Sequence, residues 1–201
     1  MPADPDAELM RRVKQGDTRA FAELVEHYQQ PVINFVARTL QDYDEAEDVA
    51  QNVFVQVFKS AHRYQESAKF TTWLFTIARN LCLNELRRRA RHPAEPLDPT
   101  RPGGDETPAR QFADRATTGP VDALLRRELE QKVEAALATL PENQRTALLL
   151  CREEELSYGE IAGVLDCSLS ATKSLIHRAR ETLKAQLKPY LHSGAWADSS
   201  D

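Results

Sequence analysis

The chain has 201 residues, 41% hydrophobic and 28% charged, with a formal net charge of −5. This balance fits a globular protein of one or two domains and excludes a collagen-like or wholly disordered one. Apolar runs stop after a few residues, as at 148–151, so no membrane insertion is expected, and the start at Met1-Pro2-Ala3-Asp4 lacks the basic and apolar regions of a secretory signal.

Nearly all the hydrophobic patterning has the helical period, and no stretch alternates like a strand. A first helix is expected over 6–15. A second opens after Asp17, with Phe21, Leu24, Val25 and Tyr28 at helical spacing, and continues to about 40 with a bend at Pro31. The third spans about 44–62, where Ala46, Val49, Ala50, Val53, Phe54, Val57, Phe58 and Ala61 make one broad apolar stripe. Opposite that stripe lie Asp44, Glu45, Glu47, Asp48, Gln51 and Asn52, an acidic and amide face suited to a basic protein partner or simply to solvent. A fourth helix runs from about 71 to 91.

Around this fourth helix, cations alternate with rings: Arg63, Tyr64, Lys69, Phe70, Trp73, Phe75 and Arg79, followed by Arg87, Arg88, Arg89 and Arg91. Such interleaving can grip single-stranded DNA, with cations tracking the backbone and rings stacking on unpaired bases. The competing reading places the rings in the core, which is the commoner fate of aromatics at a helix start.

Residues 93–119 are rich in Pro and Gly and read as a flexible linker. Helices are expected again over 121–139, 142–154, 158–165 and 170–187, followed by a polar tail carrying Trp196. The fold class is therefore all-α: a helical domain over 1–92, the linker, a second helical domain over 120–189, and a tail over 190–201. Ser157 and Glu160 form a capping box, with Leu156 and Ile161 placed as the hydrophobic staple. The turn at Asp166-Cys167-Ser168 then joins two helices in the manner of a helix-turn-helix. On the second of these, Thr172, Ile176, Ala179 and Leu183 face the core, which points Ser170, Ser174 and His177 outward, flanked by Lys173 and Arg178. Short polar groups among cations suit base edges and phosphates; a plain helix hairpin with a solvated basic face is the alternative.

Charge is distributed accordingly. Residues 1–60 hold six Lys and Arg against eleven Asp and Glu, whereas 61–92 hold seven against two and 168–188 hold five against one. An acidic chain with two separate basic segments can meet phosphate and a different partner at once. Cys82, Cys151 and Cys167 are dispersed without a CxxC, and the five His make no HxxxH pair, so no disulfide framework, metal site or cofactor is expected and the cytoplasm is the default location.

The run Asp44-Glu45-Ala46-Glu47-Asp48-Val49-Ala50-Gln51-Asn52-Val53-Phe54 resembles the "DAEDLxQExF" helix of bacterial sigma factors. Phe70-Thr71-Thr72-Trp73-Leu74-Phe75-Thr76-Ile77-Ala78-Arg79-Asn80, with Leu86-Arg87-Arg88, is similar to their "FxTWLxxIAxN" segment. Leu140-Pro141 with Arg145, then Leu156–Ala162, Lys173-Ser174 and Arg178-Ala179-Arg180, resemble their second domain, so the chain looks like an extracytoplasmic-function (ECF) sigma factor of the sigma-70 family over about 6–91 and 120–188. That resemblance implies a non-enzymatic subunit that binds core RNA polymerase, selects promoters and assists strand opening, held in check by an anti-sigma factor and found at the nucleoid when in holoenzyme. It implies that Asp44, Glu47, Asp48, Gln51 and Asn52 meet the clamp helices of the polymerase largest subunit. It implies that Arg63, Tyr64, Lys69, Phe70, Trp73, Arg79, Asn80, Arg87 and Arg88 serve the minus-ten element. Ser170, Lys173, Ser174, His177 and Arg178 would serve the minus-thirty-five element. Asn52 replaces the family's usual Glu, and Leu175 the Arg that usually follows Lys-Ser. An ordinary helix-turn-helix regulator is the alternative, but it leaves the 44–92 motifs unused.

Overall fold

The computed structural model describes residues 5–66, 68–91, 120–152 and 156–193, which form eight α-helices and one short 3-10 turn, with no strand among them. They are α1 (Pro5–Lys14), α2 (Thr18–Leu40), α3 (Ala46–Lys59), the 3-10 turn (Ala61–Arg63), α4 (Phe70–Arg91), α5 (Pro120–Ala138), α6 (Glu142–Leu150), α7 (Tyr158–Leu165) and α8 (Leu169–Ser193). Residues 93–119, expected as the linker, and Trp196 lie outside the described residues.

In the N-terminal group, Asp17 caps α2 by accepting from the backbone N–H groups of Arg19 and Ala20 at 2.9 and 3.2 Å. The helix passes unbroken through Pro31 and ends at Gln41, whose φ of 57° lets its N–H return to Ala37. Leu9 and Met10 of α1, Leu24, Val32 and Phe35 of α2, Val53 and Val57 of α3, and Phe70, Leu74 and Phe75 of α4 fill the core. The expected third helix breaks at Ser60. That residue's hydroxyl donates to the Gln56 carbonyl, and the 3-10 turn redirects the chain so that Tyr64 reaches the interior.

In the C-terminal group α6 ends at Leu150, four residues short of the expected end, with the Cys151 N–H closing its last turn on Ala147 at 3.0 Å. α8 is longer than expected and runs through Pro189 to Ser193, past the boundary placed at 189. α8 packs on α5, and within the extension the Lys132 ammonium sits 5.0 Å from the Tyr190 ring.

The two groups do not stand apart. α4 packs on α7, and α2 packs on α5 and α6, so buried residues of both groups join one apolar cluster. Polar contacts bind the seam: Arg38 to Glu134 at 2.9 Å, and Arg145 to the Thr39 carbonyl at 3.1 Å. Nothing in the periodicity of either half points to this interface, because its residues are scattered over five helices.

Candidate nucleic-acid interface

The helix-turn-helix is built by local bonds that the sequence foreshadows. Glu160's backbone N–H donates to Ser157 Oγ at 3.3 Å, and Ser157's N–H donates to Glu160 Oε2 at 2.6 Å, completing the capping box; Leu156 and Ile161 are both buried beside it. Asp166 ends α7 in the left-handed region, at φ 53°, with its N–H on the Ala162 and Gly163 carbonyls. Ser168 then caps α8, its Oγ accepting from the Ala171 N–H at 3.2 Å. Thr172, Ile176 and Ala179 are buried against α6 and α7, and Leu183 packs on the same core. This rotation leaves Ser170, Lys173, Ser174, His177 and Arg178 exposed, and the last four border one open depression. Leu175 is half-buried at the core margin.

The second basic segment is arranged differently from its expected form. Tyr64 and Phe70 are buried, at 2% and 0% exposure, so neither ring presents a face for a base to stack on; both are corrected from stacking residues to core. They were drawn inward because α1, α2 and the 3-10 turn close around the start of α4, and Tyr28 lies 5.4 Å from the Phe70 ring. Trp73 is half-buried, tilted against Tyr64 at 5.3 Å and Phe70 at 6.3 Å. Arg63, Lys69, Asn80 and Arg87 are exposed.

Arg88 is also exposed, but its guanidinium is committed within the protein. It donates to Glu85 at 2.7 Å and to Glu45 at 3.0 Å, while Arg89 bonds Asp42 at 2.9 Å and also Glu45. The Arg88 hydrogen bond pulls the Glu85 carboxyl below its ordinary range despite opposing burial, with Arg89 adding to it. Part of the arginine run thus clamps α4 to the start of α3. The sequence counted these residues as a DNA-facing patch; Glu85, three and four positions earlier on the helix, was a readable partner, but nothing signalled that Asp42 and Glu45 would gather beneath them.

Arg79 is the most buried arginine of α4, and its Nε has no hydrogen-bond partner. Its Nη2 donates to Asn143 Oδ1 at 2.9 Å, Nη1 reaches the Val164 carbonyl at 3.5 Å, and Nε stands 3.6 Å from Glu142 Oε1. Lys69 pairs with Glu160 at 3.2 Å. All these partners belong to the C-terminal group and were not foreseen.

Asp44, just ahead of α3, and Asp48, Gln51 and Asn52 on it are exposed and Glu47 is half-buried, as the stripe implied. Phe58, expected in the core, is 46% exposed and leans on Phe21 at 5.0 Å; with Val55 it extends the outer face of Asp48 and Gln51 at helical spacing. Among the described residues no group of His, Cys, Asp and Glu could hold a metal, and no helix is long and apolar enough to cross a membrane.

Residues 24–92 match the model of sigma-70 region 2, and residues 130–183 match that of sigma-70 region 4. The RNA polymerase sigma-H factor of Pseudomonas aeruginosa is 37% identical over 188 residues, covering 94% of this chain and 96% of that protein. The chain belongs to the ECF sigma factors of the sigma-70 family. The ECF RNA polymerase sigma-E factor of Escherichia coli is 33% identical over 190 residues, covering 92% of this chain and 96% of its own length. Among solved structures, the sigma factor RpoE of Bartonella quintana in complex with the anti-sigma factor NepR shares the fold, with a TM-score of 0.64 at 24% identity, covering 84% of this chain and 96% of that one. As a sigma factor this chain is a transcription initiation factor that binds RNA polymerase and directs it to promoters.

Proposed function

We propose that residues 1–92 form the polymerase-binding and promoter-melting domain and residues 120–189 the upstream-reading domain of this sigma factor. Asp44, just ahead of α3, and Glu47, Asp48, Gln51 and Asn52 on that helix dock on core polymerase. Arg63, Lys69, Trp73, Arg79, Asn80 and Arg87 engage the minus-ten element, with Trp73 the one ring of the cluster still at the surface. Ser170, Lys173, Ser174, His177 and Arg178 read the minus-thirty-five element. The observation that carries this reading is the outward row of hydroxyl, imidazole and cationic groups on α8 behind a fully capped helix-turn-helix.

The chain itself performs no catalysis; nucleotide transfer belongs to the polymerase. Its promoters are reached in the cytoplasm at the nucleoid, and an anti-sigma factor holds it inactive, as the Bartonella relative is bound by one. Run-off transcription with purified core polymerase tests this: the chain alone should programme initiation at a promoter mapped after its overexpression. A need for another sigma factor would make it an ordinary helix-turn-helix regulator instead.

A further inference from the structure

The start of α5 carries apolar surface that the other described residues leave largely uncovered. Leu124 is 59% exposed, and Leu125 and Leu129 are each 43% exposed. At about 100° per residue, Leu125 and Leu129 stand about 40° apart around the helix, and Ala136 falls midway between them in angle. Ala136 is buried, as is Leu140 farther along the same stripe. The stripe is therefore continuous, covered at the C-terminal end of α5 and bare over its first turns. A bare apolar row of this kind marks a surface that takes a partner.

The cover ends where α8 ends. The two helices pack antiparallel: Gln186 Nε2 donates to Thr139 Oγ1 at 2.8 Å, and the Lys132 ammonium sits 5.0 Å from the Tyr190 ring. At equal rise per residue, these two pairings bring positions between 193 and 200 level with Leu129 and Leu125. Ser193 is the last residue of α8 and of the described chain, and Trp196 follows three positions later. Three residues span at most about 10 Å when extended, at ~3.3–3.6 Å each. Leu124 to Leu129 occupy about 7.5 Å of α5 at ~1.5 Å per residue. Trp196 is therefore within reach of the leucine row.

The charges agree with that register. Residues 194–201 include Asp198 and Asp201 and no Lys or Arg, while Arg126 and Arg127 stand exposed beside the leucines. An indole supplies a large, flat apolar face with few rotatable bonds, so it covers leucines at small entropic cost. We propose that residues 194–201 fold back onto α5, with Trp196 seated on Leu125 and Leu129 and Asp198 beside Arg126 and Arg127. The short tether gives an effective concentration on the order of millimolar, so a modest patch suffices. The seat lies at the opposite end of α8 from residues 170–178 and leaves the reading face of that helix open.

Fluorescence of the full chain tests this seat. The sequence has two Trp, so Trp73→Phe leaves Trp196 as the sole indole. Its emission should lie to the blue of that from a synthetic peptide of residues 189–201. Acrylamide should quench it at least about twofold less than the peptide, because quencher access scales with the undocked fraction. Leu125→Ser with Leu129→Ser should restore peptide-like quenching with circular dichroism unchanged. Arg126→Glu with Arg127→Glu should raise quenching part of the way, and decides the matter if the leucine variant fails to fold. Protection within one chain should not change on dilution.

Peptide-like quenching in the Trp73→Phe chain would overturn the proposal. Protection that survives both the leucine and the arginine changes would place Trp196 elsewhere and overturn it equally. Protection lost on dilution would make a second copy of the chain the occupant of the row. Protection gained only on adding core polymerase would make the polymerase the occupant, and either result removes the tail from this seat.

Discussion

Leu175 stands on α8 where the resemblance leads to an Arg, and replacing it with Arg should strengthen upstream-element binding at small cost. The side chain sits on α8 at the edge of the buried Thr172–Ile176–Ala179 stripe, half-buried against the core. Full burial of a Leu contributes about 1.5–3 kcal/mol, so half-burial puts about 1 kcal/mol at risk. An Arg stem laid along the same edge returns part of that and carries the guanidinium outward beside Ser174 and Arg178. The expected loss in Tm is therefore about 2–4 °C. One added phosphate contact should steepen the log–log dependence of upstream-element binding on salt by about 0.9. Thermal melts and holoenzyme titrations over a range of salt concentrations measure both quantities, with Arg178→Ala as the opposite control, expected to weaken binding and flatten the slope by about the same amount. A Tm loss above about 8 °C would place Leu175 in the core proper. An unchanged slope would place it away from the phosphates.

Three further outcomes follow from the geometry. Asp48→Lys combined with Gln51→Ala alters only exposed positions of α3 and should weaken core-polymerase binding at least about tenfold with unchanged helicity, as read by a direct binding titration. Asn80→Ala, at an exposed position of α4, should permit closed-complex formation yet lower permanganate reactivity of promoter thymines; full reactivity would move the melting role elsewhere. Glu85 has a folded-state pKa below its ordinary value, held there by Arg88 first and Arg89 next, so its contribution to stability is present above the unfolded-state value and fades as pH falls through the folded one. Glu85→Gln should accordingly lower Tm at pH 7, with the gap to the parent closing below about pH 4.

Local order was readable from the sequence where neighbouring residues decide it. The capping box at Ser157 and Glu160, the opening of α2 after Asp17, and the inward stripe of α8 each depend on residues within a turn or two, and each stands as expected. What the sequence concealed were choices made between elements. Tyr64 and Phe70 carry no mark that distinguishes a ring for stacking on bases from a ring for the core; the packing of α1 and α2 around them settles it. For Arg88 and Arg89 the nearby partner Glu85 was readable, but Asp42 and Glu45, which draw the pair onto the start of α3, lie more than forty positions away. Arg79 is the sharpest case. Its family position could be recognised, whereas Glu142 and Asn143, over sixty positions on, face it only after the two domains fold together.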